Sequence, residues 1–486
     1  MTSTPVRLGV GIAVLALLGG TLAGCSGGGK RASVRRETIL YTEANDQRAG
    51  EQASLHVGGE MGFVDAPALQ AYVEAVGQRL AHYAPRGRFP YQFRIVDQDA
   101  PNAFALPGGY IYVSRGLLIL ANSEDELAGV LGHEIIHVAA RHAASQQALI
   151  RGLSGPMKLL ASGSVARFGR DQEREADRLG QGLAGLAGYD PDGLAVFLRS
   201  MEFEERLALG GSRHPRFYDS HPATAERVAT AAGRARNVSW SPKPEIAGSR
   251  AAYLQRIDGL VVGTSASEGV FQGEHFLQPE LGFGLRFPHG WTTQNTRQAV
   301  GAISPRHDAV VFLEQQAYGA SASSAAQAFL SGGAGEGLRV GAVHPVRIGA
   351  LEGARVEGRA SGLSILITWV AYDGSVYRIT GVSRPPIDRY KGSFRAVARS
   401  FRPLTADAQL EIRERRLRIV TAHAGETLPA LSSRSENRWN LQETAVMNDF
   451  FADVRFRGGE LVKVAVEEAY SKRHRPPASG SAGRAP

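Results

Sequence analysis

From Asn122 to His142 the chain reads Asn-Ser-Glu-Asp-Glu-Leu-Ala-Gly-Val-Leu-Gly-His-Glu-Ile-Ile-His-Val-Ala-Ala-Arg-His. Ser123 with Glu126 three residues on makes a capping box, and Glu124, Asp125 and Glu126 suit the positive end of a helix dipole, so a helix begins here. On that helix His133 and His137 lie one turn apart on one face, where both imidazoles reach one ion. Glu134 is rotated about 100° from His133 and stands beside the ion without ligating it. The pattern His-Glu-x-x-His points to zinc, which lowers the pKa of a bound water to about 7 while the glutamate takes its proton as the water attacks a peptide carbonyl. His142 falls at the wrong offset to join them and reads as an exposed helix histidine.

The run Arg170-Asp171-Gln172-Glu173-Arg174-Glu175-Ala176-Asp177 offers Glu173 and Asp177, again one helical turn apart. A glutamate ligand with an aspartate that receives a ligand histidine's other N–H suits such a site. Taken alone, an acidic helix is a solvated face; paired with the upstream motif, it completes a ligand set. Glu175 competes for the ligand position, but its two-residue offset turns it away from the face of Asp177.

At 486 residues, with 43% hydrophobic and 21% charged positions, the chain is long enough for about three domains. Its single cysteine excludes an intramolecular disulfide framework and a cysteine-cluster metal site. The net charge of +8 suits an anionic surface, yet no basic helix or aromatic-interleaved basic patch favours nucleic acid.

Residues 1–24 carry one charge, Arg7, then an apolar run from Leu8 to Leu18, then small residues. That pattern is a signal peptide, with an apolar part too short for a comfortable membrane span. Leu22-Ala23-Gly24-Cys25 resembles the bacterial lipobox, which implies a lipidated Cys25 as membrane anchor and a cell-envelope location. With Ser26 following, the resemblance implies the periplasmic face of the outer membrane in a Gram-negative cell. Residues 25–37 read as a flexible tether.

His133-Glu134-x-x-His137 with Glu173-x-x-Ala176-Asp177 resembles the family-48 zinc metallopeptidases, the group of the CaaX prenyl proteases, the HtpX heat-shock proteases and the BepA type of periplasmic protease. The resemblance covers residues 38–245 and implies a mainly α-helical zincin-type domain. It implies His133, His137 and Glu173 as ligands of one Zn2+ per chain, Glu134 as general base, and Asp177 and Arg227 behind the ligands. Asn102-Ala103-Phe104-Ala105-Leu106-Pro107-Gly108-Gly109 resembles the family's segment before the active helix. There a strand edge pairs with an extended substrate, implying contacts from Asn102, Ala103, Phe104, Ala105, Gly108 and Gly109. His221-Pro222, with Arg227 six residues after the histidine, resembles the family's His-Pro segment; the rival His214-Pro215 has Ser220 at that offset. His221 is then implied to donate to the tetrahedral oxyanion, or to fill zinc's open position in a resting enzyme. No stretch of this region is apolar enough to span a membrane, so the soluble branch is nearer.

Residues 246–270 read as a linker. Alternation over Leu281 to Phe287, Val310 to Leu313, and Ile365 to Tyr372 turning at Asp373-Gly374 into Ser375 to Thr380, with a helix over Arg389 to Arg399, predicts an antiparallel sheet closed by a helix over 271–404. The order weakly resembles PsbP-like α/β sandwich domains and shows no catalytic cluster. Residues 405–470, with a strand from Thr421 entering a turn by Leu428, a helix over Leu441 to Asn448 and a strand returning over Gly458 to Val464, resemble the LysM domain, a small βααβ unit, which implies peptidoglycan as a partner. The tail 471–486 has the composition of a disordered segment. Together these point to a membrane-anchored zinc metalloendopeptidase that hydrolyses unfolded or misassembled envelope proteins in protein quality control. One alternative is a noncatalytic envelope assembly or wall-binding lipoprotein with a structural zinc, which does not need Glu134. Another is hydrolysis of a wall peptide crosslink at the same metal site.

Overall fold

The computed structural model describes residues 43–85, 89–142, 169–208, 221, 224–332 and 338–471. The signal stretch, Cys25, the tether, His214 and the tail from residue 472 lie outside them. The chain forms two compact units, one of Arg35–Thr264 with Glu414–Glu468, the other built on Ser265–Arg413. None of the described helices is long and apolar enough to cross a membrane.

In chain order the first unit carries α1 (Glu43–Glu60), α2 (Pro67–Ala81), β1 (Gln92–Val96), β2 (Ala103–Leu106), β3 (Tyr110–Ser114), α3 (Arg115–Leu120), α4 (Glu124–Ala139), α5 (Arg170–Ala187), α6 (Gly193–Ala208), α7 (Ala225–Ala235), α8 (Arg250–Ile257) and β4 (Val261–Val262). The sheet order is β1-β3-β2, with β1 parallel and β2 antiparallel to β3. Leu69, Tyr72, Val73, Val76 and Leu80 repeat at helical spacing along α2 and bury one face. They join Ile95, Val113, Leu127, Leu131 and Ile135 in one core. Helix α4, its polar residues included, is thus buried nearly all round and sits inside this core rather than on it.

The expected linker over 246–270 is instead largely part of this unit. Tyr253, Leu254 and Ile257 of α8 are wholly buried, each contributing about 1.5–3 kcal/mol by burial. The Tyr253 hydroxyl donates to the Leu118 carbonyl. Eight residues of helix were too short a periodic signal to stand out among prolines, glycines and serines.

The second unit holds β5 (Val270–Gln272), β6 (His275–Gln278), β7 (Phe283–Arg286), β8 (Thr292–Asn295), β9 (Ala299–Ile303), β10 (Ala309–Tyr318), α9 (Ala322–Ser331), β11 (Arg339–Val340), β12 (His344–Ile348), β13 (Leu351–Ala360), β14 (Leu363–Tyr372), β15 (Ser375–Ser383), α10 (Asp388–Ser400), β16 (Arg402–Pro403) and α11 (Ala406–Leu410). An antiparallel sheet in the order β11-β13-β14-β15-β10-β9-β8, with β12 on β13, lies beside a smaller sheet β16-β7-β6-β5. Alternate side chains of β14 enter different cores: Ile367 and Trp369 pack with Phe329 of α9, Leu366 and Val370 with Phe394 of α10. The β14–β15 hairpin turns at Asp373-Gly374, both with positive φ (46° and 70°), as a two-residue turn of this hand requires. This unit is sheet-rich, with the antiparallel strands that the alternation predicts.

The chain then returns to the first unit as β17 (Arg413–Thr421), α12 (Leu428–Arg434), α13 (Leu441–Asn448) and β18 (Leu461–Ala469). The expected βααβ order is present, but the segment is not a separate module. Its sheet runs β18-β17-β4, with Val262 opposite Arg415 and Val261 opposite Arg416. Leu417, Trp439 and Ala465 belong to the core that holds α4. Lys463, wholly buried, donates from Nζ to the carbonyls of Ile119, Leu120 and Ala121 at the end of α3. A lysine between two valines in a strand reads as a solvent-facing position; here it satisfies helix-end acceptors that would otherwise be buried without donors.

Candidate active site

Three side chains fix the N-terminus of α4. The Ser123 hydroxyl oxygen accepts from the Glu126 N–H at 3.2 Å, as expected, whereas the Glu126 carboxylate accepts from the N–H of Asn122, one residue before the cap. Glu124, wholly buried, accepts from the hydroxyls of Tyr72 and Tyr189 and from the main-chain N–H groups of Ile246 and Ala247. A buried carboxylate with four donors at a helix N-terminus is a strong anchor.

Helices α4 and α5 meet at Gly132 and Gly180. A Cβ on Gly180 would lie 2.9 Å from the nitrogen and 3.0 Å from the Cα of His133, so only hydrogen fits there. This close approach brings the His133 turn against the Glu173–Asp177 turn. Gly180→Ala should therefore push the helices apart, costing about 1–3 kcal/mol and lowering metal content, measured as thermal midpoint and bound zinc. Wild-type values for both would contradict this role of the crossing.

His133, His137, Glu173 and His221 are all buried and offer ligand atoms within 4.8 Å of one another. Nε2 of His133 is 3.0 Å from Nε2 of His137 and 3.1 Å from Nδ1 of His221. Glu173 Oε1 lies 2.9 Å from His221 Nδ1 and 3.4 Å from His137 Nε2. Four donors around an ion at 2.0–2.1 Å in a tetrahedron stand about 3.3 Å apart, so the set fits one zinc. The other nitrogen of His133 is 3.0 Å from Asp177 Oδ1. Arg227 joins the two carboxylates, Nη1 at 2.9 Å from Glu173 and Nη2 at 2.7 Å from Asp177.

The electrostatics favour donor-ready states at His137, Glu173 and Asp177, whereas at His133 burial is outweighed by the Asp177 and Glu173 carboxylates, which raise the imidazole. Burial, with His133 and His221 beside it, pushes the His137 imidazole well below its ordinary value, so its lone pair is kept. Burial opposes ionisation of Glu173, but His221, His137 and His133 together hold its carboxyl well below the usual range. Asp177 is held at about 2 by His133 and Arg227 although burial works the other way. Metal binding requires such a neutral imidazole and an ionised carboxylate.

Glu134 differs from its neighbours. It is wholly buried, and neither carboxylate oxygen has a hydrogen-bond partner among the described residues. The approach of His221 Nε2 to Oε1 is 3.6 Å. Burial pushes its carboxyl up, with His221 and His133 only partly offsetting this.

One sequence-derived expectation changes. His142 is 5% exposed, not an exposed helix histidine, and its Nδ1 lies 3.0 Å from Nδ1 of His137. Glu175 stands outside the four-donor set, with its carboxylate 3.5 Å from His142 Nε2.

In the expected substrate segment, Asn102 accepts at its carbonyl from the Ser114 N–H. By antiparallel alternation the main-chain groups of Ala103 and Ala105 then face away from β3, toward the edge that no other described strand pairs. The Phe104 side chain stacks on Tyr112 at 4.9 Å and is core. The Asn102 side chain is buried, its Nδ2 3.3 Å from Gln98 Oε1. Gly108 and Gly109 have φ of 83° and 97°, and a Cβ on Gly108 would lie 2.7 Å from the Gln47 Cα of α1. These two glycines shape the turn. A cavity of about 10 Å³ is lined by Phe89, Ala105, Pro107, Gly108, His137 and Arg141.

The model of peptidase family M48 matches residues 67–168 and 153–235, the part of the chain that holds His133, Glu134, His137, Glu173, Asp177, His221 and Arg227. This segment is similar to peptidase family M48. Among curated proteins, a beta-barrel assembly-enhancing protease of Yersinia pestis is 31% identical over 214 residues, covering 39% of this chain and 42% of its own length. Mitochondrial metalloendopeptidase OMA1 of Schizosaccharomyces pombe is 29% identical over 201 residues, covering 38% of this chain and 59% of its own. The chain thus spans under half of the first relative and about three fifths of the second. Among solved structures, cyanobacterial PsbP from Synechocystis aligns at 12% identity over 29% of this chain and 98% of its own, with a TM-score of 0.23, too low to carry an argument. The M48 segment supplies all four candidate metal donors, Glu134 and the pair Asp177–Arg227 from α4, α5, His221 and α7.

Proposed function

We propose that the M48 segment is a zinc metalloendopeptidase that cleaves extended, unfolded stretches of envelope proteins. The observation that carries this is Glu134. A carboxylate buried without a hydrogen bond costs stability and serves no packing purpose, but beside three or four metal donors it is where a general base belongs. A bound zinc would supply Lewis acidity, polarising a carbonyl and acidifying a water. His133, His137 and Glu173 would hold it. Glu134 would receive the proton from the attacking water and pass it to the leaving amine. Asp177 orients His133 through Nδ1, and Arg227 keeps both carboxylates in place. Main-chain groups of Ala103 and Ala105 would pair with the substrate as an added strand, which selects extended chain over folded protein.

One observation favours the structural-zinc alternative: four protein donors close a site, as structural zinc sites are closed. Glu134 weighs against it, since a structural site leaves that carboxylate without a role. Both are reconciled if His221 occupies the position that an attacking water needs and withdraws for turnover. Glu173→Ala separates the ligand assignment from chance proximity. Bound zinc per chain should fall to a small fraction of wild type, while Glu175→Ala keeps most of it. Reversed zinc contents would show the wrong carboxylate was chosen.

Anchoring through a lipidated Cys25 belongs to the same proposal, with quality control of misassembled envelope proteins as the role that best suits it. Mass spectrometry finding an unmodified Cys25 on the native protein would end that part.

A further inference from the structure

The helix that carries the two histidines stops at Ala139, and Ala140 is its C-cap. Arg141 then takes a left-handed conformation, φ 57°, and its guanidinium lies 2.6 Å from Asp46 of α1. That turn reverses the chain enough to place His142 under His137, with ring centroids 4.9 Å apart at 72° and the two Nδ1 atoms 3.0 Å apart. The far side of the His142 ring faces Glu175, Nε2 to Oε2 at 3.5 Å. Glu175 comes from α5, two residues before the aspartate that serves His133.

We propose that His142 and Glu175 form a positioning pair for His137, equivalent to the service that Asp177 and Arg227 give His133. This rests on the metal reading above. A histidine that offers Nε2 to an ion carries its proton on Nδ1, and that N–H needs an acceptor to fix ring and tautomer. Nδ1 of His142 is that acceptor. His142 then carries its own proton on Nε2, directed at the Glu175 carboxylate, so the sequence of donors ends on a negative charge. Each of the two helix histidines is thereby backed by a carboxylate of α5, one directly and one through a second imidazole. Side chains behind a ligand histidine typically change metal affinity by about 10–100-fold when removed.

The test uses the full chain, stripped of metal and titrated with zinc against a chromophoric chelator, and separately with cobalt for its visible spectrum. Wild type should bind one zinc. His142→Leu should weaken zinc by about 10–100-fold and alter the cobalt spectrum. His142→Asn, whose side-chain oxygen falls near the position of Nδ1, should recover most of both. Glu175→Gln should give a smaller loss, and because that side chain is about half exposed it should leave the metal-free thermal midpoint unchanged. Wild-type affinity and spectrum in His142→Leu would overturn the proposal while leaving the metal site intact. Equal weakening in the Leu and Asn variants, matched by an equal drop in metal-free stability, would overturn it in favour of packing. A wild-type chain that binds no zinc would overturn the metal reading beneath it.

Discussion

Glu134→Gln should lower hydrolysis of an unfolded peptide by about 10²–10⁴-fold and leave zinc content and thermal midpoint at wild-type values or above. The amide has the shape of the carboxylate but cannot accept a proton from water. The fold should not suffer, because burial already pushes the Glu134 carboxyl up, and neither of its oxygens has a hydrogen-bond partner among the described residues. A neutral group there relieves a cost that a purely structural residue would not carry. Parallel measurement of zinc, thermal midpoint and peptide cleavage checks this. Undiminished cleavage would remove the proposed base.

Ending the chain at Thr264 should leave no stable peptidase unit, although every candidate metal and catalytic residue lies before that point. Leu417, Trp439 and Ala465 would be lost from the core around α4. Without Lys463, the carbonyls of Ile119, Leu120 and Ala121 lose their buried donor, at about 1–3 kcal/mol for each one left unsatisfied. Against a typical total stability of about 5–15 kcal/mol, these losses together are disabling. Excising 265–413 should do the opposite. Val262 pairs with Arg415, so joining Thr264 to Glu414 leaves a three-residue loop, Gly263-Thr264-Glu414, within the normal range for a hairpin. Gly263 already has φ of 77°. The excised protein should resist proteolysis and bind zinc as wild type does. A folded, zinc-loaded chain ending at Thr264, or an unfolded excision product, would contradict this arrangement.

The contrast between these two deletions marks where the sequence was readable. His133, Glu134 and His137 are contiguous on one regular helix, and Glu173 and Asp177 repeat the same spacing, so periodicity alone placed them on common faces. His142 was misread because the helical wheel was extended past Ala139, and no periodic signal announces a left-handed Arg141. The βααβ order of the return was implied by the LysM resemblance, and helix α13 begins and ends where expected. That these elements belong to the first unit was not visible, because it depends on contacts across some 150–350 residues. Lys463 shows why: its fit depends on helix-end carbonyls that no local pattern reveals. The Gly132–Gly180 crossing is equally silent, since a glycine in a helix signals close approach without naming its partner.

Zinc-dependent cleavage by the full chain tests the central claim most directly. The protein stripped by a chelator should not cleave a fluorogenic unfolded peptide, and activity should rise in proportion to added zinc and level off at one equivalent per chain. Cleavage that persists in the stripped protein, or none at any zinc concentration while one equivalent is bound, would contradict a zinc metallopeptidase.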